Sequence, residues 1–229
     1  MRLQLPDAVR GLSWSAQAAS RIALLWPLKA VGTCLFMILF FRAYFAVLED
    51  PLGVPRVMPV TVFDDWLPFS PLAFPVYVSL WFYVSLVPAL MGSLRALLWF
   101  GVWITAMCAC CLGIFWLLPT AVPEAGIDWS LHPQMALIKG IDPGGNACPS
   151  LHVASAVFTA FWLERVLRDI DAPRACHGAN RALCLLIMWS TVATRQHVVL
   201  DVVAGVVVGM LFALPALHHV SRRCPGRRV

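Results

Sequence analysis

Two short stretches carry residues able to do nucleophilic and acid–base chemistry: NACPSLHVASA, Asn146 to Ala156, and TRQHVVLDVVAG, Thr194 to Gly205. In the second, His197 and Asp201 stand four residues apart, a spacing that predicts one shared helix face. A carboxylate that accepts a hydrogen bond from one imidazole nitrogen fixes the tautomer and leaves the other nitrogen free to attack. Asp201 also opens an apolar run, and a carboxylate at membrane depth needs a partner, for which His197 is the obvious choice. A purely structural His–Asp pair is the plainer alternative. In the first stretch, His152 is expected at the outer end of a helix, with Pro149 in its first turn, where a missing N–H costs nothing. Free amides and the helix dipole near Ser150 then form an anion site. A histidine beside such a site donates a proton to the leaving oxygen of a phosphate ester. The alternative is a boundary histidine that merely faces water.

Several polar residues are candidates for holding the anion. Arg195 precedes His197 by two residues, and its guanidinium fork suits phosphate oxygens. Interfacial snorkelling is its other role. Arg42, in FFRAYF, either snorkels to the headgroups or faces the bundle interior. Lys139, Asp142 and Asn146 lie in KGIDPGGNACPSLH, ahead of the histidine, where the glycines mark a turn. No metal ligand is required, and no cofactor is expected. Cys108, Cys110 and Cys111 lack the spacing and the histidine or carboxylate neighbours of a zinc site.

Long apolar elements must position these groups. The chain has 229 residues, 60% hydrophobic and only 13% charged, against about 25% charged in a soluble domain. Its apolar residues come in runs near the length of a bilayer span. The expected fold is therefore all-α: a polytopic membrane protein, a six-transmembrane-helix bundle forming one domain over 1–229. The spans are placed at 22–47, 72–91, 96–118, 150–167, 181–196 and 197–217, with short tails 1–21 and 218–229. The first run is longer than a signal-peptide core and reads as a retained helix.

With the N-terminus inside, twelve basic residues fall on cytoplasmic segments, among them Arg2, Arg10, Arg95, Arg165, Arg181, Arg223, Arg227 and Arg228. Only Arg56, Lys139 and Arg195 fall outside. The positive-inside rule favours this orientation and puts both histidines on the outer side. The net charge of +5 is thus a topology signal and not a nucleic-acid footprint. The proline- and aromatic-rich outer loops supply interfacial anchors such as Trp66, Phe69 and Trp129, or a lip for lipid to enter.

The paired motifs resemble those of the type-2 phosphatidic acid phosphatase superfamily of lipid phosphatases and phosphotransferases. That family has six helices, a P-S-x-H motif opening the fourth and a later H-x3-D motif. PSLH, with leucine in place of the phosphatase branch's usual glycine, and the nearby QHVVLD are more similar to the inositol phosphorylceramide synthase branch. The resemblance spans about 115–210. It implies that His197 is the nucleophile, Asp201 its orienter, His152 the general acid and Ser150 a phosphate ligand. Two departures stand out. No K-x6-R-P motif precedes PSLH, where the chain reads AVPEAG with Glu124, and the arginine of S-R-x5-H would fall at Thr191.

The leading expectation is a membrane phosphatase acting on a lipid phosphate through a phosphohistidine. Transfer of a phospho-headgroup to a lipid or sugar hydroxyl is the alternative. A proton-relaying channel or transporter is a third reading, disfavoured because the ionisable residues cluster at one face and no repeat is visible. The expected partners are the bilayer and a lipid phosphate or phospholipid. The expected location is a bacterial inner membrane with cytoplasmic termini and a periplasmic site.

Overall fold

A computed structural model describes residues 11–141 and 144–222. Asp142, Cys224 and the basic residues Arg2, Arg10, Arg223, Arg227 and Arg228 lie outside the described residues. Nine α-helices run through that part: α1 (Trp14–Ala23), α2 (Trp26–Glu49), α3 (Val62–Asp65), α4 (Phe74–Ala89), α5 (Leu94–Leu117), α6 (Pro133–Ile141), α7 (Leu151–Asp169), α8 (Arg174–Ala193) and α9 (Val199–Arg222). Two short strands, β1 (Arg56–Val57) and β2 (Thr120–Ala121), join them.

Six of these helices are long, and they fall where spans were expected. Among the described residues, four segments are long and apolar enough to cross a bilayer: Trp26–Glu49, Pro71–Ala89, Leu94–Leu117 and Val199–His218. This supports a membrane protein. α7 and α8 do not meet that test. α7 closes on Glu164, Arg165, Arg168 and Asp169, and α8 opens through Arg174, His177, Asn180 and Arg181. α8 also begins seven residues before its expected start of 181.

The N-terminal apolar run divides. A continuous helix would bring the Pro27 ring against the Ala23 carbonyl, so the chain breaks at Leu25, which adopts φ 55°. α1 is consequently a separate helix, and Arg21 is buried in it instead of lying in a free tail. Lys29 donates to the Arg21 carbonyl and, at 2.9 Å, to the Ala89 carbonyl, while the Arg21 guanidinium reaches the Leu90 carbonyl at 3.5 Å.

α7 forms the centre. Val153, Ala154, Phe158, Trp162 and Val166 are fully buried along it, against α9, α8 and α4. Its closest approach is to α9. A Cβ on Gly205 would come within 2.5 Å of the Ser150 carbonyl oxygen, and one on Gly209 within 2.7 Å of the Ala154 carbonyl oxygen. Small residues spaced G-x-x-x-G allow two helix backbones to pack this closely.

The loops at the histidine end are knitted by backbone. β1 and β2 pair in parallel, Arg56 with Thr120 and Val57 with Ala121. Ala121 bridges to Gly145, and the Cys148 amide donates to Thr120 Oγ1 at 2.8 Å. The segment that resembles no phosphate motif therefore braces the loop leading into PSLH.

Candidate active site

Ser150 caps α7, its Oγ accepting from the Val153 amide at 3.3 Å. Pro149 thus precedes the cap and is not in the first turn as expected. The Ser150 amide donates to the Asp201 carbonyl at 3.0 Å, joining the two motifs directly. Ser150 is fully buried and spends its polar atoms on this framework. The amides of Leu151 and His152 remain as uncommitted donors at the start of α7, as a helix N-terminus requires.

His197 precedes α9, which starts at Val199, so the His–Asp pair is closed by the turn leading into the helix and not by a helix face. His197 Nδ1 and Asp201 Oδ2 lie 3.4 Å apart, long for a hydrogen bond, and Nδ1 is buried without a hydrogen-bond partner. Asp201 Oδ2 also accepts from the Val198 amide at 3.1 Å, which fixes the carboxylate against the first turn of its own helix. Asp201 is 0% exposed and its Oδ1 has no hydrogen-bond partner. The Cys148 thiol sits nearby. Burial, aided by the Asp201 carboxylate, pushes it up to about 11.

His152 stacks on Tyr77, with ring centroids 4.5 Å apart, and meets Trp81 edge-on at 5.6 Å. Its Nε2 is buried without a hydrogen-bond partner. The His152 and His197 rings stand 6.1 Å apart, and both line one cavity of about 490 Å³. Gly144, Gly145, Asn146, Leu151 and Gln196 line it beside the histidines. Its other walls are apolar and aromatic, from Phe40, Phe41 and Tyr44 of α2 to Tyr77, Leu80 and Trp81 of α4.

The expected anion ligands divide. Asn146 lines the cavity, held in a left-handed conformation (φ 49°) with its amide donating to the Tyr44 carbonyl at 3.3 Å. Lys139 is not among the lining residues but lies beside Gly144, which is. Its Nζ donates to the Arg195 carbonyl at 3.2 Å, sits 5.6 Å from the Trp129 ring centroid and comes within 3.6 Å of where a Gly144 Cβ would be. The Arg195 guanidinium turns to the Asp64 carbonyl at 3.4 Å and is not part of the cavity wall. Arg42 is exposed beside Glu49 on a neighbouring groove that shares Met37, Phe41 and Phe45 with the cavity but not the histidines. Thr191, at the family's arginine position, is fully buried and bonds the Met188 carbonyl at 2.8 Å.

Four residues at or near the site escaped the sequence reading: Tyr77, Trp81, Gln196 and Asp64. Asp64 closes the T-x-x-D pattern of Thr61–Asp64, a capping-box signature present in the sequence.

A family model described as "PAP2 superfamily" matches residues 100–224, from within α5 to beyond the end of α9. Neither the curated proteins nor the solved structures returned a match.

Proposed function

The chain belongs to the PAP2 superfamily, and from that premise we propose that it is an integral membrane phosphatase acting on a lipid phosphate through a phosphohistidine. One observation carries the reading: two imidazoles 6.1 Å apart line one cavity, one of them backed by a buried carboxylate. Attack geometry places reacting atoms about 3–3.5 Å apart. Rings with centroids 6.1 Å apart suit a phosphoryl group between them, with His197 toward phosphorus and His152 toward the leaving oxygen.

Asp201 faces His197 Nδ1, so Nε2 is the nitrogen left to attack. A P–N bond forms as the P–O bond to the lipid breaks, and His152 gives its proton to the departing oxygen. His152 then takes a proton from water as that water's oxygen displaces His197 from phosphorus. Asp201 stabilises the charged imidazole during both steps. The amides of Leu151 and His152 face developing negative charge on the phosphoryl oxygens. Lys139 and Asn146 complete the anion's surroundings. Arg195 reaches it only by leaving Asp64, and Arg42 takes no part. The six-helix span, the cytoplasmic termini and a periplasmic site belong to the same reading, supported by the asymmetric basic residues.

Phosphate release from lipid phosphates by the purified protein is expected to vanish in His197→Ala and to fall about 10²- to 10⁴-fold in His152→Ala, the usual scale for a lost proton-transfer group. Unchanged turnover in both variants would sink the mechanism.

Leu151 supports a second reading, because it takes the glycine position of PSGH and lines the cavity. It favours the inositol phosphorylceramide synthase-like branch, where the acceptor is an alcohol. A labelled headgroup recovered on a second lipid, and not in water, decides for transfer.

A further inference from the structure

We propose that Asp64 is the positioning residue for His197. The inference rests on His197 being the nucleophile. Asp64 lies in α3, far from the site in sequence, and is 1% exposed. Its Oδ2 accepts from the Thr61 amide at 2.8 Å and the Thr61 hydroxyl at 2.7 Å. Its Oδ1 accepts from the Val199 amide at 2.7 Å, and its carbonyl accepts from the Arg195 guanidinium at 3.4 Å.

His197 is the middle residue between Arg195 and Val199, so both flanks of the nucleophile's segment are tied to one residue. Val199 is the first residue of α9, and its amide is a donor that the helix itself cannot satisfy. The Asp64 carboxylate satisfies it and favours the positive end of the helix dipole. Arg195 adopts φ 56°, a left-handed turn that a side chain disfavours and that outside bonds must hold. Within the segment, the His197 amide is held to the Thr191 carbonyl at 3.1 Å, and Asp201 holds the Val198 amide. From outside the segment, Lys139 Nζ holds the Arg195 carbonyl at 3.2 Å and the Ser150 amide holds the Asp201 carbonyl at 3.0 Å, while among the described residues Asp64 alone binds on both sides of His197, pinning the loop before α4 to the start of α9. It is not among the cavity-lining residues, so it acts through His197 and not on substrate.

An asparagine at this position keeps one acceptor oxygen and loses the other. It serves Val199 or Thr61, but not both with the same strength. A misplacement of about 1 Å costs on the order of 100-fold in rate. With phosphatidic acid in detergent micelles as probe, Asp64→Asn is expected to lower kcat ten- to a hundredfold and leave KM within twofold, because α2 and α4 still form the cavity wall. Val199→Pro removes the same hydrogen bond from the other partner, at a helix position that tolerates proline. Asp64→Asn added to Val199→Pro should then lose little further kcat. Wild-type kcat in Asp64→Asn, or losses that multiply in the double variant, overturn the proposal. An Asp64→Asn protein too unstable to purify leaves Val199→Pro as the deciding variant, whose kcat must fall with KM held. His197→Ala is assayed alongside. If it is inactive while Asp64→Asn and Val199→Pro are normal, positioning by Asp64 fails and the phosphohistidine reading stands. If it is active, that reading itself fails.

Discussion

The two ends of the α7–α8 pair both gather ionisable side chains, and they do so differently. At the far end, Glu164 Oε1 accepts from Arg168 at 2.9 Å and Arg181 at 3.2 Å, with His177 Nδ1 at 3.1 Å. The two arginine side chains are 66% and 67% exposed. At the near end, Asp201 is wholly buried, and it faces the Val198 amide, the Cys148 thiol and a histidine that is itself 8% exposed. Each end holds orphaned polar atoms, Glu164 Oε2 in one case and His152 Nε2, His197 Nδ1 and Asp201 Oδ1 in the other. An unpartnered atom therefore does not mark a reactive site. Counterion supply does: two exposed guanidinium groups sit on Glu164 Oε1, whereas Asp201 has, among the described residues, no arginine or lysine, only the His197 imidazole and the Cys148 thiol.

The sharpest way to break this comparison is to neutralise each carboxylate in turn. Asp201→Asn should cut kcat about 10³- to 10⁴-fold, the scale seen when an orienting acid beside a catalytic histidine is lost. Equal kcat in wild type and Asp201→Asn would place the two ends on the same footing. Next in size is a reactivity. The Cys148 thiol, raised from an ordinary 9.0 to about 11, holds far less thiolate below that range. In a variant with its other cysteines replaced, its alkylation at pH 8 should run about a hundredfold slower than that of a free thiol. The rate should climb as pH rises toward 11. Fast labelling at pH 8 would mean that the histidine end is more open than described.

Gly205→Ala drives a methyl toward the Ser150 carbonyl and Val153. It should cost about 1–3 kcal/mol of stability, as overpacking does, and lower kcat by separating the motifs, both read by thermal unfolding and turnover. The smallest effects belong to the far end and to the groove. Glu164→Gln should cost at most about 1 kcal/mol, because its arginine partners are exposed. Both it and Arg42→Gln should turn over at the wild-type rate. A large loss in Arg42→Gln would return that residue to the site.

Much of this was legible in the sequence because the signals are local. A run of apolar residues is sufficient to place α2, α4, α5 and α9, and H-x3-D announces a pair that the fold brings together. Arg42 was not legible. α2 is apolar around nearly its whole circumference, so its sequence offers no face from which to read a direction. The partner of Val199 was hidden for another reason: Asp64 lies 135 residues away, and no local pattern foretells that a loop carboxylate will close a distant helix. The break at Leu25 was visible as Pro27, yet the hydropathy of the run concealed it. The polar ends of α7 and α8 are legible as charge, and they are what keeps the span count open.

The glycine contact between α7 and α9 has one more consequence. With backbone against backbone at Gly205 and Gly209, the two helices work as a calliper locked at one opening, and His152 and His197 are its jaws. A phosphorus centre is a fixed size, and so is the gauge that grips it. Whatever tolerance the protein has for differently shaped lipids must then lie on the opposite wall, where Phe40, Phe41 and Tyr44 of α2 line the cavity.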